Sequence, residues 1–147
     1  MISGFWSPRF PLPLIRVAVW IEEFVPTWTL ITFVLDTGAT HTSIHPLDAT
    51  RRLGIAPASL DATTWPGERV APTSGGGGGV NYLETPASFG LFHDEPAIPP
   101  ELLPPMSVKI AEMTRDNQGI PSLLGWDVLQ YFRVTMEGRT RVTLDRI

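Results

Sequence analysis

The sequence of 147 residues contains no cysteine. A disulfide framework, a thiolate metal site and a cysteine nucleophile are therefore excluded. A strong excess of one charge is also missing, since the net charge is −4 at pH 7. This mild acidity gives no reason to expect nucleic acid or an anionic membrane surface as a partner.

Long hydrophobic runs are absent as well. The longest apolar stretch, residues 24–35, contains Pro26 and three threonines, and it is too short to span a bilayer. The N-terminal segment does not read as a signal peptide, because Arg9 and Arg16 bracket a proline-broken stretch and acidic residues follow. We therefore expect a soluble, cytoplasmic protein with no membrane partner.

Turn-forming residues, in contrast, are frequent. The 15 prolines and 13 glycines favour a β architecture over a helical one. Alternating or β-branched runs predict strands over residues 14–21, 28–35, 42–45, 80–92, 107–113, 123–124, 133–137 and 140–144, with short helices over 47–53 and 125–132. Residues 90–105 are rich in proline and predict a loop. The length fits one domain over residues 14–147, preceded by an extended arm over residues 1–13.

One stretch combines a buried strand with a carboxylate. The apolar run that ends at Leu35 is followed by Asp36, Thr37, Gly38 and Ala39. Glycine permits close backbone approach and threonine offers a hydroxyl, so these residues suit a tight loop. An isolated charge at the end of an apolar strand is costly to bury. Asp36 is therefore a candidate functional group that needs a proton, a partner or a ligand.

A second block, Leu123, Leu124 and Gly125, is an apolar pair followed by glycine and a predicted helix. Together the two blocks resemble the signatures of retropepsin-like aspartic proteases, the single-domain proteases of retroviral type, over about residues 14–144. The resemblance implies an all-β acid-protease fold, a closed barrel-like half with one or two short helices. It makes Thr37, Gly38 and Ala39 supports of the active-site loop, and Leu124 and Gly125 structural residues of the second motif.

The resemblance also implies a function. Aspartic endopeptidases hydrolyse peptide bonds with a water activated between two carboxylates that share one proton. The chain contains one Asp-Thr-Gly, so the second Asp36 must come from a second copy across a two-fold axis. The expected partners are a second copy and an extended peptide or protein substrate, with no cofactor. Thr37 would brace the two loops, and the chain termini would help to form the dimer sheet. The alternative is a catalytically silent dimeric module that binds peptides or acts as a scaffold.

A run of five glycines follows Ser74, namely Gly75, Gly76, Gly77, Gly78 and Gly79. By resemblance it is the tip of a substrate-binding flap over about residues 68–83. A flexible linker is the alternative interpretation, and both stay open. A phosphate-binding loop is unsupported, because neither Gly-Lys-Ser/Thr nor a predicted helix follows.

Two further features bear on the site. Retroviral members carry an Asp and an Arg that form an ion pair, where this sequence has Thr40 and Trp126. Both partners are missing together, so no buried charge is left unpaired, and the pattern favours a cellular, bacterial-type member. Asp127 suits the first turn of the predicted helix, where an acid favours the helix dipole, so we interpret it as structural.

Two histidines raise the question of a metal. His41 and His45 are four residues apart, which on a helix would place both imidazoles on one face. The residues between them favour a strand, on which positions four apart are too distant for easy chelation. We therefore predict no metal site.

Overall fold

The computed structural model describes residues 1–9, 11–72 and 79–147. Two short helices, α1 (Pro46–Arg51) and α2 (Trp126–Leu129), accompany three single 3₁₀ turns at Pro57–Ser59, Ala62–Thr64 and Gly67–Arg69. The strands are β1 (Ile2–Ser3), β2 (Phe5–Trp6), β3 (Pro13–Trp20), β4 (Thr29–Leu35), β5 (Ser43–Ile44), β6 (Val70–Pro72), β7 (Asn81–Leu91), β8 (Glu101–Leu102), β9 (Met106–Ala111), β10 (Ser122–Leu124), β11 (Phe132–Glu137) and β12 (Arg141–Arg146).

Six of these strands close into a barrel in the order β3-β4-β10-β5-β9-β7, and β7 pairs back onto β3. The pairs β4–β10 and β5–β9 are parallel, and the other four are antiparallel. The inward faces form the core, which includes Val17, Val19, Ile31, Phe33, Phe89 and Ile110. The predicted all-β fold, with a closed barrel and two short helices, is confirmed.

The ends of the chain form a second, smaller sheet in the order β1-β12-β11. In it β1 pairs with β12, while β2 pairs with β3 of the barrel. Residues 1–13, predicted as an extended arm, thus contribute strands to both sheets. The division of the chain at residue 13 stays a prediction.

Two residues of the sequence, Pro46 and Gly54, mark the limits of the helix α1. Pro46 is its first residue, where the missing amide hydrogen costs nothing. Gly54, just beyond its end, has a φ of 67°, a left-handed conformation that glycine adopts without steric cost. The predicted helix over residues 47–53 is therefore right in position, but α1 starts one residue earlier and ends two residues earlier than expected.

The strand predicted over residues 80–92 is present as β7, which continues to Leu91. The prediction of a loop over residues 90–105 missed the short strand β8, which pairs with β7 so that Gly90 lies opposite Leu102. A strand of two residues has no readable periodicity, so only its partner reveals it.

The segment predicted as a flap is partly described. β6 and β7 form an antiparallel hairpin, with Val70 opposite Leu83. Gly75, Gly76, Gly77 and Gly78 of the predicted tip lie outside the described residues, and Gly79 is exposed.

Among the helices that the structure describes, none is long and apolar enough to cross a bilayer. The cytoplasmic location expected from the sequence stays a prediction.

Candidate active site

Asp36 lies where two parallel strands of the barrel end together. Leu124, the last residue of β10, is opposite Leu35, the last residue of β4. The backbone N–H of Asp36 donates to the carbonyl oxygen of Leu124 over 3.1 Å. The hydrogen bonds between β4 and β10 therefore continue to Asp36, and they fix the direction in which its side chain leaves the sheet.

The loop after Asp36 folds back onto the carboxylate. The N–H of Gly38 donates to Asp36 Oδ1 over 2.9 Å, and the N–H of Ala39 donates to the Asp36 carbonyl over 3.1 Å. A Cβ atom on Gly38 would lie 3.2 Å from Oδ1, so glycine leaves room for the carboxylate. Within the described residues no donor reaches Oδ2 of Asp36. One oxygen is thus oriented by the loop, and the other is available to a water or a second carboxylate.

The start of α2 holds this loop from the other side. The N–H of Trp126 donates to the carbonyl of Ala39 over 2.9 Å, and the N–H of Asp127 donates to that of Thr40 over 3.1 Å. The indole Nε1–H of Trp126 donates to the carbonyl of Thr37 over 2.6 Å. Three carbonyl groups of the Asp36 loop therefore accept hydrogen bonds from two adjacent residues of the second motif.

Gly125 allows the two segments to approach this closely. A Cβ atom on it would lie 2.6 Å from the carbonyl carbon of His41 and 2.9 Å from the carbonyl oxygen of Ala39. Its own N–H donates to Thr42 Oγ1 over 3.0 Å, and Leu124 before it is fully buried. A side chain at position 125 would push the loop away from α2.

Asp127 is fully engaged in structural contacts. Its carboxylate accepts hydrogen bonds from the Thr42 N–H, at 2.9 and 3.0 Å, and from the Thr42 hydroxyl at 2.7 Å. It also accepts one from the N–H of Val128 at 2.9 Å. The structural interpretation of Asp127 is confirmed. Its partner Thr42 was not predicted, because it lies far away in sequence.

The positions of the missing retroviral ion pair are occupied by neutral contacts. The backbone carbonyl of Thr40 accepts a hydrogen bond from the N–H of Asp127. At position 126 an indole N–H, which donates to the carbonyl of Thr37, stands where retroviral members have a guanidinium donor. Sequence reasoning identified these two positions as departures, and it missed that Trp126 still binds the loop. The one available signal was that tryptophan, like arginine, carries a side-chain donor.

The two histidines occupy different environments. His41 is exposed, whereas His45 is buried just before α1, and burial lowers the pKa of its imidazole. The described residues contain no cluster of three or more side chains that could hold a metal ion. The nearby Ser122 hydroxyl is buried and donates to Asp48 over 2.6 Å, so it is not placed as an exposed nucleophile.

A cavity of about 200 Å³ lies beside the base of the β6–β7 hairpin. At its edge Arg69 Nη1 donates to Glu23 Oε1 over 2.9 Å, and the hydroxyl of Thr85 donates to Glu23 Oε2 over 2.8 Å. The hydrogen bond from Arg69 is the main cause that lowers the pKa of Glu23. Arg69 also donates to the carbonyl of Glu84 on β7. The hairpin base is thus tied to the connection between β3 and β4.

Comparisons with known proteins agree with this architecture at the level of structure. No family model matches the sequence, and no curated protein is significantly similar to it. Among solved structures, the crystal structure of a retropepsin-like aspartic protease from Rickettsia conorii superimposes with a TM-score of 0.55. The match has 17% sequence identity and covers 96% of this chain and 87% of the other. The chain therefore has the retropepsin-like fold.

Proposed function

We propose that this chain is an aspartic endopeptidase of retropepsin type that works as a two-fold homodimer. The observation that carries the proposal is the state of Asp36. It is half-buried at the end of β4, with one carboxylate oxygen oriented by Gly38 and the other without a donor in the described residues. A carboxylate that served only to stabilise the loop would be expected to use both oxygens, as Asp127 does.

The chemistry requires a second carboxylate. In an aspartate pair the ionised member takes a proton from water, while the protonated member donates a hydrogen bond to the scissile carbonyl oxygen. Asp127, whose N–H contacts the Asp36 loop at Thr40, has its carboxylate engaged with Thr42 and Val128. The second member of the pair is then Asp36 of another copy, which places the site on the dimer axis.

The substrate in this proposal is an extended peptide. It would lie between the Asp36 loop and the β6–β7 hairpin, held by backbone hydrogen bonds with side chains in alternating pockets. The hairpin would act as the flap, with Gly75, Gly76, Gly77, Gly78 and Gly79 at its tip. The tie between Arg69 and Glu23 supports a fixed base for such a flap. The cellular, bacterial type is part of the same proposal.

Cleavage of an unbiased peptide library by the wild type and by Asp36→Asn tests this function. The asparagine oxygen can still accept from Gly38, so the loop should keep its shape, while peptidase activity should fall by at least about a thousandfold. Asp116→Asn is the matched control, since Asp116 is an exposed acid outside the site. Undiminished cleavage by Asp36→Asn would refute the proposal. Peptide binding without cleavage by the wild type would instead support the silent module.

A further inference from the structure

The outer face of the barrel carries a row of residues without polar side chains. Ala18 of β3 lies opposite Leu30 of β4 on one side and opposite Gly90 of β7 on the other. Gly90 lies in turn opposite Leu102 of β8. Residues directly opposite each other on neighbouring strands share one face of a sheet. Because Val17, next to Ala18, points into the core, this row faces outward.

The sizes of these residues make the row a depression. The two middle residues, Ala18 and Gly90, are small, whereas Leu30 and Leu102 on either side of them are 46% and 65% exposed. A cavity of about 310 Å³ lies over the two small residues. We call this depression the outer groove. Clustered apolar side chains with this exposure are typical of a surface that binds something.

One cation lies at the end of the outer groove. Arg16 is two residues before Ala18 on β3, so it points to the same face. Phe92 is two residues after Gly90 and, because β3 and β7 are antiparallel, it comes next to Arg16. Arg16, Leu30 and Phe92 line a second cavity of about 300 Å³. Phe92 lines both cavities, so the cation and the apolar floor belong to one continuous surface.

The guanidinium of Arg16 is held in place without using its hydrogen-bond donors. Its Cζ lies over the ring of Phe5, 4.8 Å from the ring centroid. Arg16 is exposed, and within the described residues no carboxylate or other acceptor pairs with it. An arginine stacked on an aromatic ring keeps its N–H groups for a ligand. Carboxylates are suited to this position, because they accept two parallel hydrogen bonds from one guanidinium.

We propose that the outer groove binds a medium-chain aliphatic carboxylate, such as octanoate, with the carboxylate on Arg16 and the chain over Ala18 and Gly90. An apolar surface with one unpaired cation at its end is complementary to a ligand with one anionic group and an apolar tail. Small-molecule pockets begin at about 300 Å³, and each of the two cavities is of this size. The ligand is therefore a single short chain.

A peptide fits the outer groove less well, because its amide groups would lack partners. The backbone of Ala18 is paired with β4 and β7, and that of Gly90 with β3 and β8. The floor therefore has no free backbone group, and its side chains offer no hydrogen bond. Burying an amide on such a floor costs free energy, whereas burying methylene groups is favourable.

The outer groove is separate from the candidate active site. Leu30 is six residues before Asp36 along the chain, which is roughly 20 Å in an extended strand. The inference thus goes beyond the proposed peptidase and adds a second binding site to the same chain.

Titration of the full chain with octanoate tests the site, measured by calorimetry and by the backbone amide NMR shifts of Ala18 and Gly90. We expect saturable binding of one octanoate per chain, with shifts concentrated at these amides. Octanol has the same chain length and no charge, so it should bind at least about tenfold more weakly. Absence of saturation, equal binding of octanol, or shifts located elsewhere would each overturn the proposal.

Arg16→Gln separates charge recognition from a disturbance of the fold. The variant loses the cation, so the Kd for octanoate should rise at least about tenfold, while the Kd for octanol should stay unchanged. Arg115→Gln is the matched control, since Arg115 is an exposed cation that lines neither cavity. It should leave both Kd values unchanged. An equal loss of both ligands in Arg16→Gln would overturn the assignment of the carboxylate to Arg16.

Leu102→Gln tests the apolar part of the outer groove. It removes apolar contact area without affecting the core, so the Kd for octanoate and for octanol should both rise at least about threefold. Ile120→Gln is the matched control, because Ile120 is 42% exposed and lines neither cavity. Unchanged Kd values in Leu102→Gln would overturn the placement of the chain over the floor.

N-acetyl-trileucine, a blocked apolar peptide with a free carboxylate, distinguishes the two kinds of occupant. Its amides find no partners on the floor, so it should bind more weakly than octanoate. Tighter binding of this peptide, with shifts at Ala18 and Gly90, would overturn the choice of an aliphatic chain. All these measurements follow binding and not cleavage. Octanoate binding by a chain that cleaves no peptide would support the outer groove and refute the peptidase, and an active peptidase without it would do the reverse.

Discussion

The indole N–H of Trp126 donates a 2.6 Å hydrogen bond to the backbone carbonyl of Thr37. The residue that follows the second-motif glycine thus holds the residue that follows Asp36. This contact joins the two sequence blocks through a neutral donor at position 126, one of the two positions that hold the ion pair in retroviral members. It also explains how Trp126 can be 43% exposed and still contribute to the shape of the site.

Removing this donor should reduce turnover more than stability. Trp126→Phe keeps an aromatic ring and loses the hydrogen bond to Thr37, and a neutral hydrogen bond is worth about 1 kcal/mol. We expect kcat/KM for peptide cleavage to fall about five- to tenfold, mainly through kcat. Trp28→Phe is the matched control, since Trp28 is 41% exposed and its indole N–H has no acceptor among the described residues. Equal kcat/KM values in the two variants would show that the Trp126 hydrogen bond does not position the Asp36 loop.

A side chain at Gly125 should destabilise the whole fold. The Cβ atom of Gly125→Ala would lie 2.6 Å from the carbonyl carbon of His41, so the loop or α2 must move. Overpacking of this kind costs about 1 to 3 kcal/mol, measurable by urea unfolding. Gly119→Ala provides the comparison, because its Cβ would meet nothing within 4 Å. Similar unfolding midpoints for the two variants would contradict the close packing at Gly125.

The Glu23–Arg69 pair should make stability depend on acid pH. The hydrogen bond that Arg69 donates to the Glu23 carboxylate lowers the pKa of Glu23 below the ordinary value of 4.5. A depressed folded-state pKa contributes stability that is fully present above pH 4.5 and is lost as the pH falls through the folded-state pKa. The Glu23 side chain is 38% exposed, so solvent screening limits the contribution to below about 1 kcal/mol.

The measurement is the free energy of unfolding of Glu23→Gln across pH 3 to 7. The variant should be less stable than the wild type near neutral pH, and the difference should shrink as the pH falls below 4.5. Glu95→Gln serves as the control, because Glu95 is exposed and its carboxylate has no partner in the described residues. A difference that grows toward low pH would contradict a lowered pKa of Glu23 in the folded state.

The shared-site proposal predicts a dominant negative effect. In an equimolar mixture of wild type and Asp36→Asn, random pairing puts about half of the wild-type chains into heterodimers that hold a single carboxylate of the pair. After exchange, activity per wild-type chain should fall to about half. Mixing with Asp116→Asn should leave it unchanged. Full activity in the Asp36→Asn mixture, once exchange is shown by a tag on one chain, would mean that each chain works alone.

Local patterns in the sequence were sufficient for several features. The apolar run into Asp36 predicts a strand that ends at the carboxylate, and the structure has β4 end at Leu35. Pro46 and Gly54 bracket α1 as their backbone preferences require. These features could be read because each depends on residues that are neighbours in the chain, whose φ/ψ limits and period-two alternation act over a few positions.

Tertiary structure alone decided the contacts that complete the site. Thr42 meets Asp127, and Thr37 meets Trp126, across more than eighty residues of chain. The pairing of β1 with β12 is equally non-local. A hydrogen bond between distant residues depends on the closure of the whole barrel. Local backbone preferences do not predict such a bond, because they are compatible with many different pairings of the same donors and acceptors. Packing of the core selects one of these pairings.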